Sequence, residues 1–388
     1  LGQRGGAVGP VGAVTLDDGG LDEDDQLALG VDAAGLAGHH LWLSFVLSSC
    51  LALITGLSYA ALARKLPKAG AEYSYLRQAF PQTRWLPLAV GLMVVFTGSG
   101  TAATVALAFV GYLGSFWEAP RFVTAAGLLG LVTLVNIVGI VFSSRLNIAF
   151  TTIEAIGLLI VIGMGFATPA MFEINMADVN MPGVLSAASL AFFSYLGFEG
   201  IVSLAEESKD ASKDLPKAIL ISIFITTALY VLVGLAVVAL MPPQQLAQSS
   251  APLMAAIAAR TPGAANALGA IALFATANTA LIASLAASRV LFSMARDGAV
   301  PKVLAQVLAE RGSPWLASLG VLGVGLLLLL LGNVETVARV TSFCSLLAFA
   351  WVHVAALKLG ASHWFIPGLG LFLTLATMVQ LVASQLSP

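Results

Sequence analysis

The sequence predicts an all-α, polytopic membrane protein, because its composition, its apolar runs and its charge distribution all indicate that fold class. Hydrophobic residues occupy 59% of the 388 positions and charged residues 10%, whereas soluble domains carry roughly 45–50% and 25%. The apolar residues are gathered in long runs, and a membrane-spanning helix needs about 20 of them. These observations exclude a soluble globular protein.

Ten apolar segments are long enough to be predicted as membrane-spanning helices. Charged or Pro- and Gly-containing stretches separate them, such as RKLPKAG after the first, EESKDASKDLP before the sixth, RDGAVPK before the eighth and KLGAS before the last. The segments cover residues 41–63, 86–113, 123–142, 147–168, 184–205, 217–241, 264–292, 315–332, 335–357 and 363–385.

The positive charges alternate with these segments and predict the topology. All Lys and Arg residues except Arg4, Arg121, Arg260 and Arg339 fall in loops on one side of the membrane. Cytoplasmic loops carry the excess of Lys and Arg. We therefore expect a multi-pass protein of the cell (plasma) membrane with loops 64–85, 206–216 and 293–314 in the cytoplasm.

Several other classes of function lack support in the sequence. The net charge of −2 indicates no nucleic-acid partner. Cys50 and Cys344 both lie in apolar segments, so neither a disulfide framework nor a metal site is predicted. The four histidines are scattered, and we expect no enzyme activity. A membrane-embedded enzyme needs paired catalytic residues, and Glu154 with Glu199 is the only pair worth testing.

Segment 184–205 contains an acid between two glycines, Gly197–Phe198–Glu199–Gly200, at mid-membrane depth. Glycines let the backbone leave the helix, and an intramembrane acid is costly unless it faces protein or water. One interpretation is a broken helix whose free backbone groups hold a polar substrate. The other is a pair of packing glycines with Glu199 hydrogen-bonded to a neighbouring helix.

The loop after the first segment is predicted to contain a short helix over 71–80. Its Tyr73, Tyr75 and Phe80 would lie at headgroup depth. The alternative is a simple tethering loop.

Three cytoplasmic motifs together resemble the amino acid–polyamine–organocation (APC) superfamily of permeases. The first is LSYAALARKLPKAGAEYSY at Leu57–Tyr75, and the second runs from Phe193 to Ile219 through GFEG and EESKD. The third is RVLFSMARDGAVPK at Arg289–Lys302. Their order, separation and sidedness follow the family pattern over residues 41–360.

The resemblance implies an inverted-repeat fold of two five-helix halves with broken helices, in which 41–388 is the transporter domain and supplies family helices two to eleven. It implies secondary transport of amino acids across the plasma membrane by alternating access. The expected partners are a small-molecule amino acid and the lipid bilayer, with no cofactor beyond H⁺ or Na⁺ as coupling ion. The oligomeric state stays open.

Carried over residue by residue, the resemblance places the substrate pocket at the family's broken sixth helix, which is segment 184–205 here. The family's third helix, segment 86–113, adds polar groups. Asn278 and Thr279 are weaker candidates. The expected substrate-binding residues are Phe193, Ser194, Tyr195, Gly197, Phe198, Glu199, Gly200, Thr97 and Ser99, with Phe192, Leu196 and Thr101 beside them. A Glu199 open to the cavity favours cationic substrates or amines, and one that faces away favours neutral apolar amino acids.

The sequence departs from the family pattern at both ends. Residues 1–40 form an acidic, Gly- and Ala-rich stretch that cannot span, where the family's first helix is expected. This suggests an aberrant segment, produced by a frameshift, a gene-prediction error or a truncated gene, and the last family helix is also expected to be absent after the tenth segment. The rival function is an inactive, truncated remnant of a permease; a polyamine or organic-cation permease is less favoured.

Ion coupling is the remaining open point. Several proton-coupled relatives carry a lysine on the fifth helix, and Glu154 stands near that place here. An intramembrane acid could carry a proton or pair with a neighbour. Ser284 and Ser288 could supply hydroxyls to a sodium-type site.

Overall fold

The computed structural model describes residues 33–386 except 115, 118, 173–177, 249–251, 309–311 and 331–333, and the described part contains helices and no strand. Each of the ten predicted segments contains a helix. The principal helices are α1 Leu41–Lys65, α2 Ala71–Ala79, α3 Trp85–Gly114, α4 Arg121–Val138, α5 Ile140–Phe166, α6 Met181–Ala191, α7 Ala211–Leu240, α8 Pro262–Arg296, α9 Trp315–Leu330, α10 Val334–Lys358 and α11 Phe365–Leu386.

Eight of the described helices are long and apolar enough to cross a membrane, and α6 and α9 are shorter apolar helices. The predicted all-α polytopic fold class is confirmed. Of the predicted segment 1–40, residues 1–32 lie outside the described part. Residues 33–40 are helical and lead directly into α1.

One predicted loop is misplaced. The predicted segments 123–142 and 147–168 leave residues 143–146 as the loop between them. In the structure α4 ends at Val138 and α5 begins at Ile140. The turn is made at Gly139, whose φ of 134° and ψ of 158° suit glycine alone. Hydropathy missed it because Gly139 sits inside a continuous apolar run.

The helices form two packed groups. The first group contains α1, α6 with the segment that follows it, and α7; the second contains α3, α4, α8 and α9. The most extensive packing joins α1 to α7 and α3 to α8. Helix α5 packs against both α7 and α8, while α10 and α11 pack against each other beside α1.

Small residues allow the close approach of these helices. The hydroxyls of Ser44 and Ser48 on α1 donate to the carbonyl oxygens of Val184 and Ala188 on α6, at 3.0 and 2.6 Å. A Cβ added to Gly98 on α3 would lie 2.7 Å from the Cβ of a residue on α8. Since lipid tails are as apolar as the helix surfaces, such packing and interhelical hydrogen bonds hold membrane helices together.

Helix α2 is predicted correctly in position, but its environment differs from the prediction. Tyr73 and Tyr75 are 3% and 0% exposed, so they pack inside the protein and do not face the headgroups. Helix α2 packs against α3 and α10 and touches α8. Amphipathic sequence alone cannot distinguish a lipid interface from a protein groove, since both bury the same apolar face.

Helix α5 offers a matched pair of glycines that tests this packing. A Cβ at Gly165 would lie 2.5 and 2.7 Å from the Cβ and Cα of Ala236 on α7, whereas a Cβ at Gly163 would meet nothing within 4 Å. Gly165→Ala should destabilise the protein by roughly 1–3 kcal/mol, because backbone must move. Gly163→Ala should be neutral or slightly stabilising. Thermal unfolding in detergent measures both, and equal melting temperatures for the two variants would contradict the α5–α7 contact.

Candidate functional site

A cavity of about 450 Å³ lies between the two helix groups. It is bounded by α3, α5, α7 and α8, by the start of α2, and by the segment that follows α6. Its lining includes two acids, Glu72 and Glu199, and several hydroxyl and amide groups, but no Lys, Arg or His among the described residues. Such a concave site with a few polar groups is the usual form of a small-molecule site.

The helix after α6 is interrupted at the cavity. Residues Phe192–Tyr195 form one 3₁₀ turn and Phe198–Glu207 a second 3₁₀ segment, with Leu196 and Gly197 between them. Gly197 has a φ of 125° and a ψ of −24°, a conformation that L side chains rarely adopt. The polar backbone is therefore exposed beside the cavity, where a membrane helix would otherwise satisfy its own groups.

Two tyrosine hydroxyls hold the interruption in place. Tyr195 donates to the carbonyl oxygen of Phe45 on α1 at 3.0 Å, and Tyr230 on α7 donates to that of Ser194 at 3.0 Å. The two tyrosine rings meet edge to face, with centroids 5.4 Å apart. These contacts give the unwound segment partners on both neighbouring helices of the first group.

Glu199 closes a short loop on its own backbone. Its Oε2 accepts a hydrogen bond from the N–H of Gly197 at 2.8 Å. The side chain also lines the cavity. The first interpretation describes the backbone, which is broken at Gly197. The hydrogen bond of Glu199 differs from the second interpretation, because its partner lies in the same segment and not on a neighbouring helix.

A second acid reaches the same cavity from α2. Glu72 is 2% exposed, and its Oε1 accepts a hydrogen bond from the Tyr59 hydroxyl at 2.7 Å. Its Oε2 has no hydrogen-bond partner. Burial raises the pKa of the Glu72 carboxyl, and hydrogen bonds that include the one from Tyr59 oppose this rise in part.

Glu72 was not among the predicted site residues. The visible signal was a single charge, AGAEYSYL, inside a run of small and aromatic residues, but it fell in a predicted loop. That loop folds back against α3 and α10, which sequence periodicity does not encode.

Two further cavity-lining polar groups have buried atoms without partners. They are the Thr97 hydroxyl on α3 and the Asn278 side-chain oxygen on α8. The Asn278 amide nitrogen donates to the Thr151 hydroxyl on α5 at 3.0 Å. A buried polar atom without a partner costs free energy, so these atoms are available to a polar ligand.

The structure brings most of the predicted substrate-binding residues together. The cavity lining contains Thr97, Thr101, Ser194, Tyr195, Leu196, Gly197, Phe198, Glu199, Gly200, Asn278 and Thr279. Their role in binding stays a prediction.

Other predicted residues lie elsewhere. Ser99 is fully buried and donates to the Val95 carbonyl oxygen of its own helix at 2.9 Å. Ser284 is buried on α8 and is absent from the described lining of the main cavity. The side chain of Phe193 lies outside the described part of the structure. Glu154 lines a separate cavity of about 140 Å³ beside Tyr112.

The first and third sequence motifs meet in space next to the cavity. Arg77 on α2 forms an ion pair with Asp297, the residue after α8. A Cβ added to Gly70 would lie 2.6 Å from the Ser293 hydroxyl, which leaves no room for a larger residue. The Asp297 carboxylate is the main reason that the pKa of Arg77 is raised above its ordinary value. These contacts fix α2, and with it Glu72, against the end of α8.

Comparison with known proteins gives a consistent result. The family model described as amino acid permease matches residues 27–385. The chain is 30% identical over 360 residues to an uncharacterized transporter of Mycobacterium tuberculosis, covering 91% of this chain and 80% of that protein. It is 28% identical to a branched-chain amino acid permease of Bacillus subtilis (83% and 74% covered). It is 26% identical to cationic amino acid transporter 1 of Arabidopsis thaliana (84% and 58% covered).

Two neighbouring positions on α3 test which polar groups serve the cavity. Thr97→Val removes the unpartnered hydroxyl at nearly constant volume and should weaken ligand binding by about five- to tenfold, the value of one hydrogen bond. Ser99→Ala removes a hydroxyl that bonds only its own helix and should leave binding unchanged. Calorimetric titration of the purified variants with amino acids measures both. A Ser99→Ala effect as large as that of Thr97→Val would contradict the assignment.

Proposed function

We propose that this chain, which belongs to the amino acid permease family, is a secondary active transporter that moves amino acids across the plasma membrane by alternating access. The family and the apolar helices establish a multi-pass integral membrane transporter rather than an enzyme. The observation that carries the finer proposal is the cavity at the helix interruption, where free backbone, Glu199 and unpartnered polar atoms lie together.

The cavity chemistry suits the two charged groups that all amino acids share. The ammonium group is an effective donor to the Glu199 carboxylate and to carbonyl oxygens freed around Gly197. The carboxylate is an acceptor for backbone N–H groups of the second 3₁₀ segment and for the Thr97 hydroxyl. Phe198 and Ile282 supply apolar surface for the side chain. The names of the relatives, which include permeases for branched-chain and cationic amino acids, support this class of substrate.

Alternating access requires that the cavity opens to one side at a time. The cavity lies between the two helix groups, where the second 3₁₀ segment of the first group packs against α8 of the second. In the proposed cycle the first group rocks against the second around the interruption. In the proposed topology, loops 64–85, 206–216 and 293–314 lie in the cytoplasm, and the excess of Lys and Arg on that side supports this assignment.

The proposed driving force is an ion gradient, with H⁺ or Na⁺ as the coupled ion. Glu154 is the candidate proton carrier, because it is an acid within α5 and lines its own small cavity between α5 and α8. Ser284 is the candidate for a sodium-type site, on α8 close to the main cavity.

Gly197 provides the direct test of the proposed function. Gly197→Ala forces a Cβ into a backbone conformation that costs about 1–3 kcal/mol, so the interruption should refold and amino acid uptake should fall more than tenfold. Gly127→Ala on α4, where a Cβ meets nothing within 4 Å, should keep uptake near the original rate. Uptake of labelled amino acids into proteoliposomes measures both. Full uptake by Gly197→Ala would refute the assigned role of the interruption.

Glu154 tests the coupling ion. If Glu154 carries the proton, Glu154→Gln should abolish the stimulation of uptake by an inward pH gradient, because the amide cannot exchange a proton. Uptake should be measured in proteoliposomes with and without a pH gradient, and with Na⁺ replaced by K⁺. Unchanged pH-dependent uptake by Glu154→Gln would remove Glu154 from the mechanism. Loss of uptake on Na⁺ replacement would favour sodium coupling.

A further inference from the structure

Glu72 is a buried acidic residue to which the proposed function assigns no role. It belongs to α2, a helix of the loop between α1 and α3, yet its side chain lines the main cavity. It is 2% exposed, and its Oε1 is fixed by the Tyr59 hydroxyl at 2.7 Å. The other oxygen, Oε2, has no hydrogen-bond partner.

A buried carboxyl group with one free oxygen favours its neutral form, and a positively charged partner at that oxygen would favour the carboxylate. Removing an ionised group from water costs far more than removing a neutral one, so buried charges are paired. No Lys, Arg or His is found among the described residues that line this cavity. Arg77, on the same helix, is engaged by Asp297. Because Glu72 lines the cavity, a cationic ligand in the cavity can reach its free oxygen.

Glu72 and Glu199 are held in a fixed relation through Tyr59. The Tyr59 hydroxyl bonds Glu72, and its ring packs edge to face against Phe198, the residue before Glu199, with centroids 5.8 Å apart. The Tyr59 ring also packs against Phe349 on α10 at 5.7 Å, and Tyr59 is fully buried. The cavity wall thus carries two carboxyl groups whose side chains are each held by a hydrogen bond.

We propose that Glu72 is a specificity-determining residue that accepts the positively charged side chain of a cationic amino acid. Glu199 and the open backbone hold the α-groups of the same molecule. This inference rests on the proposed function and names the substrate class of that site: amino acids that carry an ammonium or guanidinium group on the side chain. The free Oε2 receives the second positive group, and Tyr59 orients the carboxylate toward it.

The experiment compares lysine with norleucine, which has the same carbon chain but no terminal ammonium. Dissociation constants are measured by calorimetry on the full chain in lipid nanodiscs, for the unmodified protein, Glu72→Gln and Asp214→Asn. Asp214 is an exposed acid on α7 that is not part of the described cavity lining, and it serves as the matched control. Lysine should bind the unmodified protein roughly tenfold or more tightly than norleucine, the value of a charge-assisted hydrogen bond. Glu72→Gln should abolish this preference without changing norleucine binding, and Asp214→Asn should retain it.

The possible failures are distinct. Norleucine binding as tight as lysine binding in the unmodified protein overturns the cationic class and leaves amino acid transport standing. An equal loss of both ligands in Glu72→Gln assigns Glu72 a structural role only. Binding of neither ligand by the unmodified protein overturns the proposal and, for these probes, the proposed function as well.

A second variant guards against a folding defect in Glu72→Gln. Tyr59→Phe keeps the Glu72 charge and removes only the hydroxyl that orients it. It should weaken lysine binding several-fold and leave norleucine binding unchanged. A Tyr59→Phe protein that keeps the full lysine preference would contradict the positioning role of Tyr59.

Discussion

The architecture depends on one constraint: a stretch of backbone inside the membrane leaves the α-helical hydrogen-bond pattern, with an interruption at Leu196 and Gly197, and needs other partners. In hydrocarbon each unsatisfied peptide group costs several kcal/mol, so non-helical backbone persists only where protein or water meets it. Here the Tyr195 hydroxyl of the segment donates to the carbonyl oxygen of Phe45 on α1. The Tyr230 hydroxyl on α7 donates to the carbonyl oxygen of Ser194 in the segment. The extensive packing of α1 against α7 holds these two tyrosine contacts in register. The contacts between α1, α7 and the interrupted segment therefore maintain the wall of the cavity.

The second organising element is the helix that folds back after α1. Its ion pair from Arg77 to Asp297 and the close contact of Gly70 with Ser293 join two stretches that are more than 200 residues apart in the sequence. The motifs that the sequence presents as separate cytoplasmic patches are thus two sides of one contact. In this contact Gly70 permits the close approach to Ser293, and the ion pair from Arg77 to Asp297 fixes the position of α2 against the end of α8.

Much of the fold could be predicted from the sequence because the membrane imposes a simple rule on length and polarity. All ten apolar segments contain helices, and the break in the fifth, 184–205, follows from Gly197. The turn at Gly139 was missed since no polar residue marks it. Helical geometry alone could have separated Thr97 from Ser99: Thr97 and Thr101 share one face at a spacing of four, and Ser99 points away from it. Glu72 could not be placed, because its position depends on long-range packing of a loop.

The contact between Gly165 and Ala236 has a mechanical meaning for any motion of the two groups. Helix α5 touches α7 through backbone and Cβ atoms, whereas its contact with α8 at Gly157 is made by the branched side chain of Ile271. A side-chain tip can change rotamer, but two backbones in contact cannot slide without separating. In the proposed cycle we therefore expect α5 to move with α7, so that its contacts with α8 are the ones that change. These contacts include the ring pair Phe150 and Phe274, with centroids 5.4 Å apart, and the hydrogen bond from Asn278 to Thr151.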